Sequence, residues 1–237
     1  MPADDPKTRV GMVLFPALTQ LDLTGPYELL ARLPGAEVLL LAEDRRPVRS
    51  DLGLQLSPDA ALEEAPPLDV LFVPGGPGVG EAMQSARLRD FLRLQGERAS
   101  WVTAVCTGSL VLGAAGLLRG YRATAHWLSV ELLEPLGAIP VRGERVVVDR
   151  NRITAGGVTA GIDFALLLAA KLRGEAAARE LQLTLEYDPA PPFDSGSPRT
   201  ADPELVRQVT VKRAGLQAER RALVERLARE LGLRGPP

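Results

Sequence analysis

One cysteine and one histidine occur in 237 residues. A single thiol excludes an intramolecular disulfide and a multi-cysteine metal site. No apolar run approaches the roughly 20 residues of a membrane span. The opening residues, MPADDPKTRV, are polar and acidic and lack the apolar core of a secretory leader. Lys plus Arg total 28 and Asp plus Glu 30, a net charge of -2, which leaves no basic stripe for nucleic acid. These absences lead us to expect a soluble protein of a reducing cytoplasm, with neither membrane nor nucleic acid as partner.

What is present is ample material for one core: 46% hydrophobic and 24% charged residues. Short continuous apolar runs read as strands covered on both faces. They are Val10 to Phe15, Glu37 to Ala42, Asp69 to Val73 and Trp101 to Val105. Helical patterns alternate with them: Leu21 to Leu33, where Pro26 is tolerable only in a first turn, Ser85 to Glu97, and Thr107 to Leu118. Val48 to Leu62 reads as short strands or loops, and His126 to Leu133 as helical. Arg145 to Asp149 and Arg152 to Ala155 flank Arg150-Asn151, a hairpin pattern; Gly157 to Leu172 and Glu175 to Leu185 read as helices. Alternating strands and helices predict an α/β, three-layer sandwich around a doubly wound, mainly parallel sheet. We expect one domain over residues 8–190, then a loop and C-terminal helical extension over residues 191–237, its helix spanning Ala214 to Leu231.

The cysteine stands in AVCTGSLVLGAAGLL, Ala104 to Leu118, where a strand ends and a helix begins. In a doubly wound sheet, ligands bind beyond the carboxyl ends of the strands. Cys106 there faces the positive end of the helix and its free N–H groups, which favour a thiolate. Ala104, Gly108 and Ser109 are small enough for a sharp turn, the logic of a nucleophile elbow with sulfur in place of oxygen. The plainer reading is a buried cysteine acting as a small hydrophobe.

Two groups could serve the sulfur as proton partner. His126, in ATAHW, lies near the site or packs beside Trp127; both are candidate pocket residues. Asp22, in TQLDLTGPYELL, follows the first strand between two leucines, so desolvation should raise its pKa until it can hold a proton near neutrality. It could equally cap the helix. The glycine clusters Pro74-Gly75-Gly76-Pro77-Gly78 and Ala155-Gly156-Gly157-Val158-Thr159-Ala160-Gly161 match neither a P-loop nor a dinucleotide fingerprint. They either bring backbone N–H groups to a small ligand or are simple tight turns. No basic cluster lies near these motifs.

Val73 to Gly76, AVCTGS and TAGG (Thr154 to Gly157) together resemble the ThiJ/PfpI superfamily over about residues 8–190. The resemblance implies the flavodoxin-like, class I glutamine-amidotransferase-like sandwich. Within it, LTQLDLTGPYE, VCTGSLVLGAAGLL, RATAHW, ITAGGVTAGIDFAL and YDPAPPFDSGSP are similar to the isonitrile hydratases. These lyases add water to R–NC to give an N-substituted formamide, act as homodimers and use neither metal nor organic cofactor. The resemblance makes Cys106 the nucleophile, Asp22 the acid and base, and Thr107 their neighbour; Gly76 and Gly157 would offer backbone donors to a small apolar isonitrile. Peptidase-like members carry His directly after the cysteine and deglycase-like members Glu after the first strand, where this chain has Thr107 and Asp22. Two rival readings use the same cysteine: a glyoxalase or deglycase acting on small carbonyl compounds, and a non-enzymatic ligand or redox sensor. A regulator of this fold would need a further basic DNA-binding domain, which we do not expect from a chain ending soon after Leu231.

Overall fold

In the computed structural model, residues 7–233 are described; the polar N-terminus read above as lacking a leader, and the last four residues of the extension, lie outside them. Strands β1 (Thr8–Val13), β2 (Ala36–Ala42), β3 (Val48–Arg49), β4 (Gln55–Leu56), β5 (Ala60–Ala61) and β6 (Val70–Val73) enclose one helix, α1 (Gln20–Leu30). Then follow α2 (Val79–Gln84), α3 (Ala86–Gly96), β7 (Trp101–Val105), α4 (Gly108–Ala114), β8 (Arg122–Ala123), β9 (Ile139–Pro140), β10 (Val146–Asp149) and β11 (Arg152–Ala155). Three helices complete the chain: α5 (Ala160–Arg173), α6 (Glu175–Thr184) and α7 (Pro203–Glu230).

Seven strands form the main sheet in the order β10-β11-β7-β6-β1-β2-β5. All neighbours pair in parallel except the edge hairpin of β10 and β11. Its core order, β2-β1-β6-β7-β11, is the doubly wound pattern that reverses direction beside the first strand. Helices α1, α5 and α6 pack together on one side, and α2, α3, α4 and α7 on the other. The apolar runs are strands because both faces are covered: Val70, Leu71, Phe72 and Val73 are all fully buried. Phe72 stacks on Phe164 of α5 at 5.6 Å between ring centroids, which ties the sheet to that layer.

Several boundaries differ from the sequence reading. Pro26 sits inside α1, well past its first turn, and is buried beside Gly161 of α5. It cannot donate to the carbonyl of Asp22, so tertiary packing outweighs a local defect. The segment read as a helix from His126 begins only at Val130, as a 3-10 turn over Val130–Leu136 that contains Pro135. The α2 turn was not anticipated, because six residues carry too short a pattern to read. The last helix starts at Pro203 rather than Ala214, with Asp202 accepting the N–H groups of Glu204 and Leu205.

Candidate active site

Asp22, Gly75 and Cys106 follow β1, β6 and β7, the three central parallel strands, so their loops converge at one end of the sheet. Cys106 has φ +58°, in the left-handed region that a cysteine rarely adopts, at a cost of about 1–3 kcal/mol. Its N–H reaches the carbonyls of both Ala155 and Gly156, at 3.0 and 2.8 Å. Gly108 makes the turn possible, since a Cβ there would stand 2.2 Å from the Val73 carbonyl oxygen. This is the anticipated strand–turn–helix elbow, with the sulfur at its apex.

Asp22 is fully buried in the first turn of α1. Its Oδ2 accepts the Gly75 N–H at 3.0 Å. Its Oδ1 is sealed from solvent without a hydrogen bond of regular geometry. The carboxyl's neighbour is the Cys106 thiol, which acts on it as a weak donor. Burial pushes the Asp22 carboxyl up to about 7; the Cys106 thiol and the Gly75 N–H oppose the rise, and the charge of Asp51 adds to it. Asp51 is tied in place by the Thr19 hydroxyl at 2.9 Å. Gly75 must be glycine, because a Cβ would lie 2.8 Å from Asp22 Oδ2 and 2.6 Å from the Thr107 nitrogen.

The thiol departs from expectation. A thiolate at rest was expected from the helix N-terminus, but burial pushes the Cys106 thiol up, the charge of Asp22 pushes it further, and the Thr107 N–H offsets only part of this. The helix is weak support, because α4 has seven residues and starts two positions after the sulfur. Cys106 therefore rests as a thiol beside a carboxyl of intermediate proton affinity.

Thr107 and Gly76 form a clamp rather than a pair of open donors. Gly76 N–H donates to Thr107 Oγ1 at 3.0 Å, and the hydroxyl returns a bond to the Gly76 carbonyl at 3.3 Å. The expectation that Gly76 would offer its N–H to substrate thus fails, since that donor is already engaged. Gly157 lies against the His126 ring. His126 stacks obliquely on Trp127 at 5.9 Å, and its Nδ1 accepts the Leu128 N–H. Burial, then Arg220 and Arg213, push His126 down to about 4, so it is neutral at ordinary pH and cannot be the acid.

Sequence reasoning missed Asp51 and one cation, and named Gly75 and Gly156 only as members of glycine clusters. The fold brings the buried Arg220 of α7 within electrostatic reach of Cys106, although it lies far from that motif in the chain. The glycine stretches after β6 and β11 hinted at Gly75 and Gly156; Asp51 and the cation carry no local signal. No group of His, Cys, Asp and Glu among the described residues is arranged to hold a metal ion. Nor is any described helix long and apolar enough to cross a membrane.

An isonitrile hydratase from Pseudomonas putida is 54% identical over 226 residues, covering 95% of this chain and 99% of that protein. A crystal structure of a ThiJ/PfpI family protein from Pseudomonas syringae superposes with a TM-score of 0.89 at 41% identity, covering 96% and 97% of the two chains. The HTH-type transcriptional regulator GbdR of Pseudomonas aeruginosa is 31% identical over 76% of this chain, which spans only 50% of the regulator. The DJ-1/PfpI family matches residues 8–171, and with its elbow cysteine and flavodoxin-like sheet the chain belongs to that family.

Proposed function

We propose that this protein hydrates isonitriles to N-substituted formamides, with Cys106 as nucleophile and Asp22 as proton carrier. The observation that carries the reading is the buried Asp22 carboxyl, one oxygen held by the Gly75 N–H, beside the only thiol of the chain. The near-full-length likeness to the Pseudomonas putida hydratase supplies the reaction type.

The isonitrile carbon carries a lone pair and no proton. As the C–S bond forms, the Cys106 proton passes to ionised Asp22, which then protonates the same carbon. The product is a thioimidate, R–N=CH–S. Water then adds to that carbon, losing a proton to Asp22, while the nitrogen gains one from it. The adduct R–NH–CH(OH)–S collapses: the C–S bond breaks, the hydroxyl proton returns through Asp22 to sulfur, and R–NH–CHO leaves. The sum is R–NC plus water, and Cys106 ends as it began. A carboxyl near pKa 7 suits this cycle because it both takes and gives a proton near neutrality. The Thr107–Gly76 clamp holds the Gly75 loop and the cysteine turn in register.

Residues 8–190 carry this chemistry, with residues 191–237 as an extension. We take the enzyme to be a cytoplasmic homodimer that uses no cofactor; light scattering tests the dimer. Incubation with cyclohexyl isocyanide should yield N-cyclohexylformamide. Methylglyoxal in a parallel assay tests the glyoxalase reading, and its turnover without isonitrile hydration would overturn ours.

A further inference from the structure

The chain spells Thr19-Gln20-Leu21-Asp22 at the start of α1, the Thr-x-x-Asp pattern of a helix capping box. In such a box the threonine hydroxyl accepts the N–H of the fourth residue, whose carboxylate reaches back to the threonine N–H. Neither bond is made here. Thr19 is the N-cap of α1, but its side chain caps nothing. Its hydroxyl donates instead to Asp51 Oδ2 at 2.9 Å. Its N–H donates to the Gly75 carbonyl at 2.9 Å, and its own carbonyl receives the Asp22 N–H at 3.0 Å. The Gly75 N–H closes the circuit on Asp22 Oδ2 at 3.0 Å. Thr19 is thus bonded both to Asp22 and to Gly75, the carboxyl's anchor, and the residue that fixes its side chain is Asp51.

Asp51 comes from the turn of the β3–β4 hairpin, which pairs only with itself and stands apart from the main sheet. Two strands of two residues each have little stability alone. The hairpin is sewn to the loop after β1: the Ala17 N–H donates to the Arg49 carbonyl at 2.8 Å, and the Asp51 N–H to the Leu18 carbonyl at 2.9 Å. That loop is strained and tightly packed. Ala17 has φ +56°, a left-handed value that alanine rarely adopts, and a Cβ on Gly76 would stand 2.4 Å from the Thr19 nitrogen. The second Asp51 carboxylate oxygen is sealed from solvent without a hydrogen bond, so the side chain's one bond is that to Thr19. A helix that forgoes its cap and a sealed carboxylate oxygen left bare are both local costs, and such costs gather where geometry serves a site.

We infer that Asp51 is a positioning residue of the candidate active site: it draws the Thr19 hydroxyl off the helix cap and so keeps the Asp22 carboxyl turned toward Gly75 and Cys106. Without this tether the Thr19 N–H can turn from Gly75 to the Asp22 carboxyl, completing that half of the ordinary box and taking the carboxyl from the thiol. The inference rests on Asp22 and Cys106 acting together as proposed above, but its first test needs no isonitrile.

The charge of Asp22 holds the Cys106 thiol up. Alkylation of the single thiol by iodoacetamide, followed by intact mass at one mildly alkaline pH, therefore reports whether that carboxyl is in place. Asp22→Asn should speed alkylation about tenfold, the equivalent of one pH unit. Asp51→Ala and Thr19→Val should each speed it several-fold, and Thr19→Ser, which keeps the hydroxyl, should restore the wild-type rate. In an Asp22→Asn background Asp51→Ala should add nothing, whereas a site merely loosened would react faster in both backgrounds. Asp51→Ala should also melt close to wild type, since it frees the Thr19 hydroxyl to cap α1. If Asp51→Ala does not fold, Thr19→Val is read in its place, in both backgrounds. No acceleration in the folded variant overturns the inference, as does equal acceleration in the Asp22→Asn background. With cyclohexyl isocyanide, Asp51→Ala should lower kcat about tenfold and leave KM unchanged. Absence of hydration by the wild type alongside the expected alkylation rates would sink the substrate reading and leave this one standing.

Discussion

Asp22 and Asp44 follow neighbouring strands of one sheet, β1 and β2, and their carboxyls have opposite proton affinities. Asp44 is exposed at the rim of a cleft of about 500 Å³, lined by Glu43, Arg46, Arg49 and Glu81 among others, and its hydrogen bonds from Arg46 push it down to about 2. Asp22 is fully buried, and burial pushes it up to about 7. The cleft thus holds ordinary ion pairs, and the buried first turn of α1 holds the carboxyl of raised proton affinity. Position at a strand end does not make a carboxyl an acid; loss of solvent without a compensating charge does.

Substitutions can break this comparison. The largest effect belongs to Cys106→Ala, which should lower isonitrile turnover by at least about 10³-fold with circular dichroism unchanged. Asp22→Asn comes next, at about 10²–10⁴-fold, because an amide cannot cycle a proton. In the wild type kcat/KM should rise with pH through about 7, as Asp22 ionises to accept the thiol proton, and this limb should vanish in the variant.

The same residue links stability to pH. Between the ordinary 3.8 and about 7 the folded state holds the Asp22 proton and the unfolded state does not, so stability falls as pH rises through that window. The full penalty, on the order of 4 kcal/mol, applies above it. Asp22→Asn should therefore melt higher than wild type at mildly alkaline pH and gain little in acid, as calorimetry at two pH values would show.

Smaller effects sharpen the contrast. Thr107→Val removes the acceptor of the buried Gly76 N–H; it should cost about 1–3 kcal/mol of stability and slow turnover about tenfold, measured by denaturant melts and formamide production. Asp44→Asn should leave turnover unchanged within error, since an exposed ion pair contributes little. A marked loss there would move the chemistry to the larger cleft.

Much of the site was legible because the signals are local. A lone cysteine between an apolar strand and a run of small residues announces an elbow, and Asp22 between leucines announces a desolvated acid. Thr107 and Gly76 were legible as members of the site but not as partners of each other. The bond between them closes a gap of 31 positions, which no window of sequence displays. Arg220 was wholly illegible: it lies more than a hundred positions from the cysteine, on the helix of the C-terminal extension. The thiol's protonation was misread for a related reason. The helix end is visible in sequence, whereas the burial that outweighs it is a sum over the whole core.

By itself, the order of residues settled the alternation of strand and helix, and with it a parallel sheet whose loops gather at one end, because periodicity and turn chemistry act over a few positions. Tertiary structure alone decided how much water reaches each of those loops and which distant charges face them. Proton affinity depends on both, and neither is a property of neighbours along the chain.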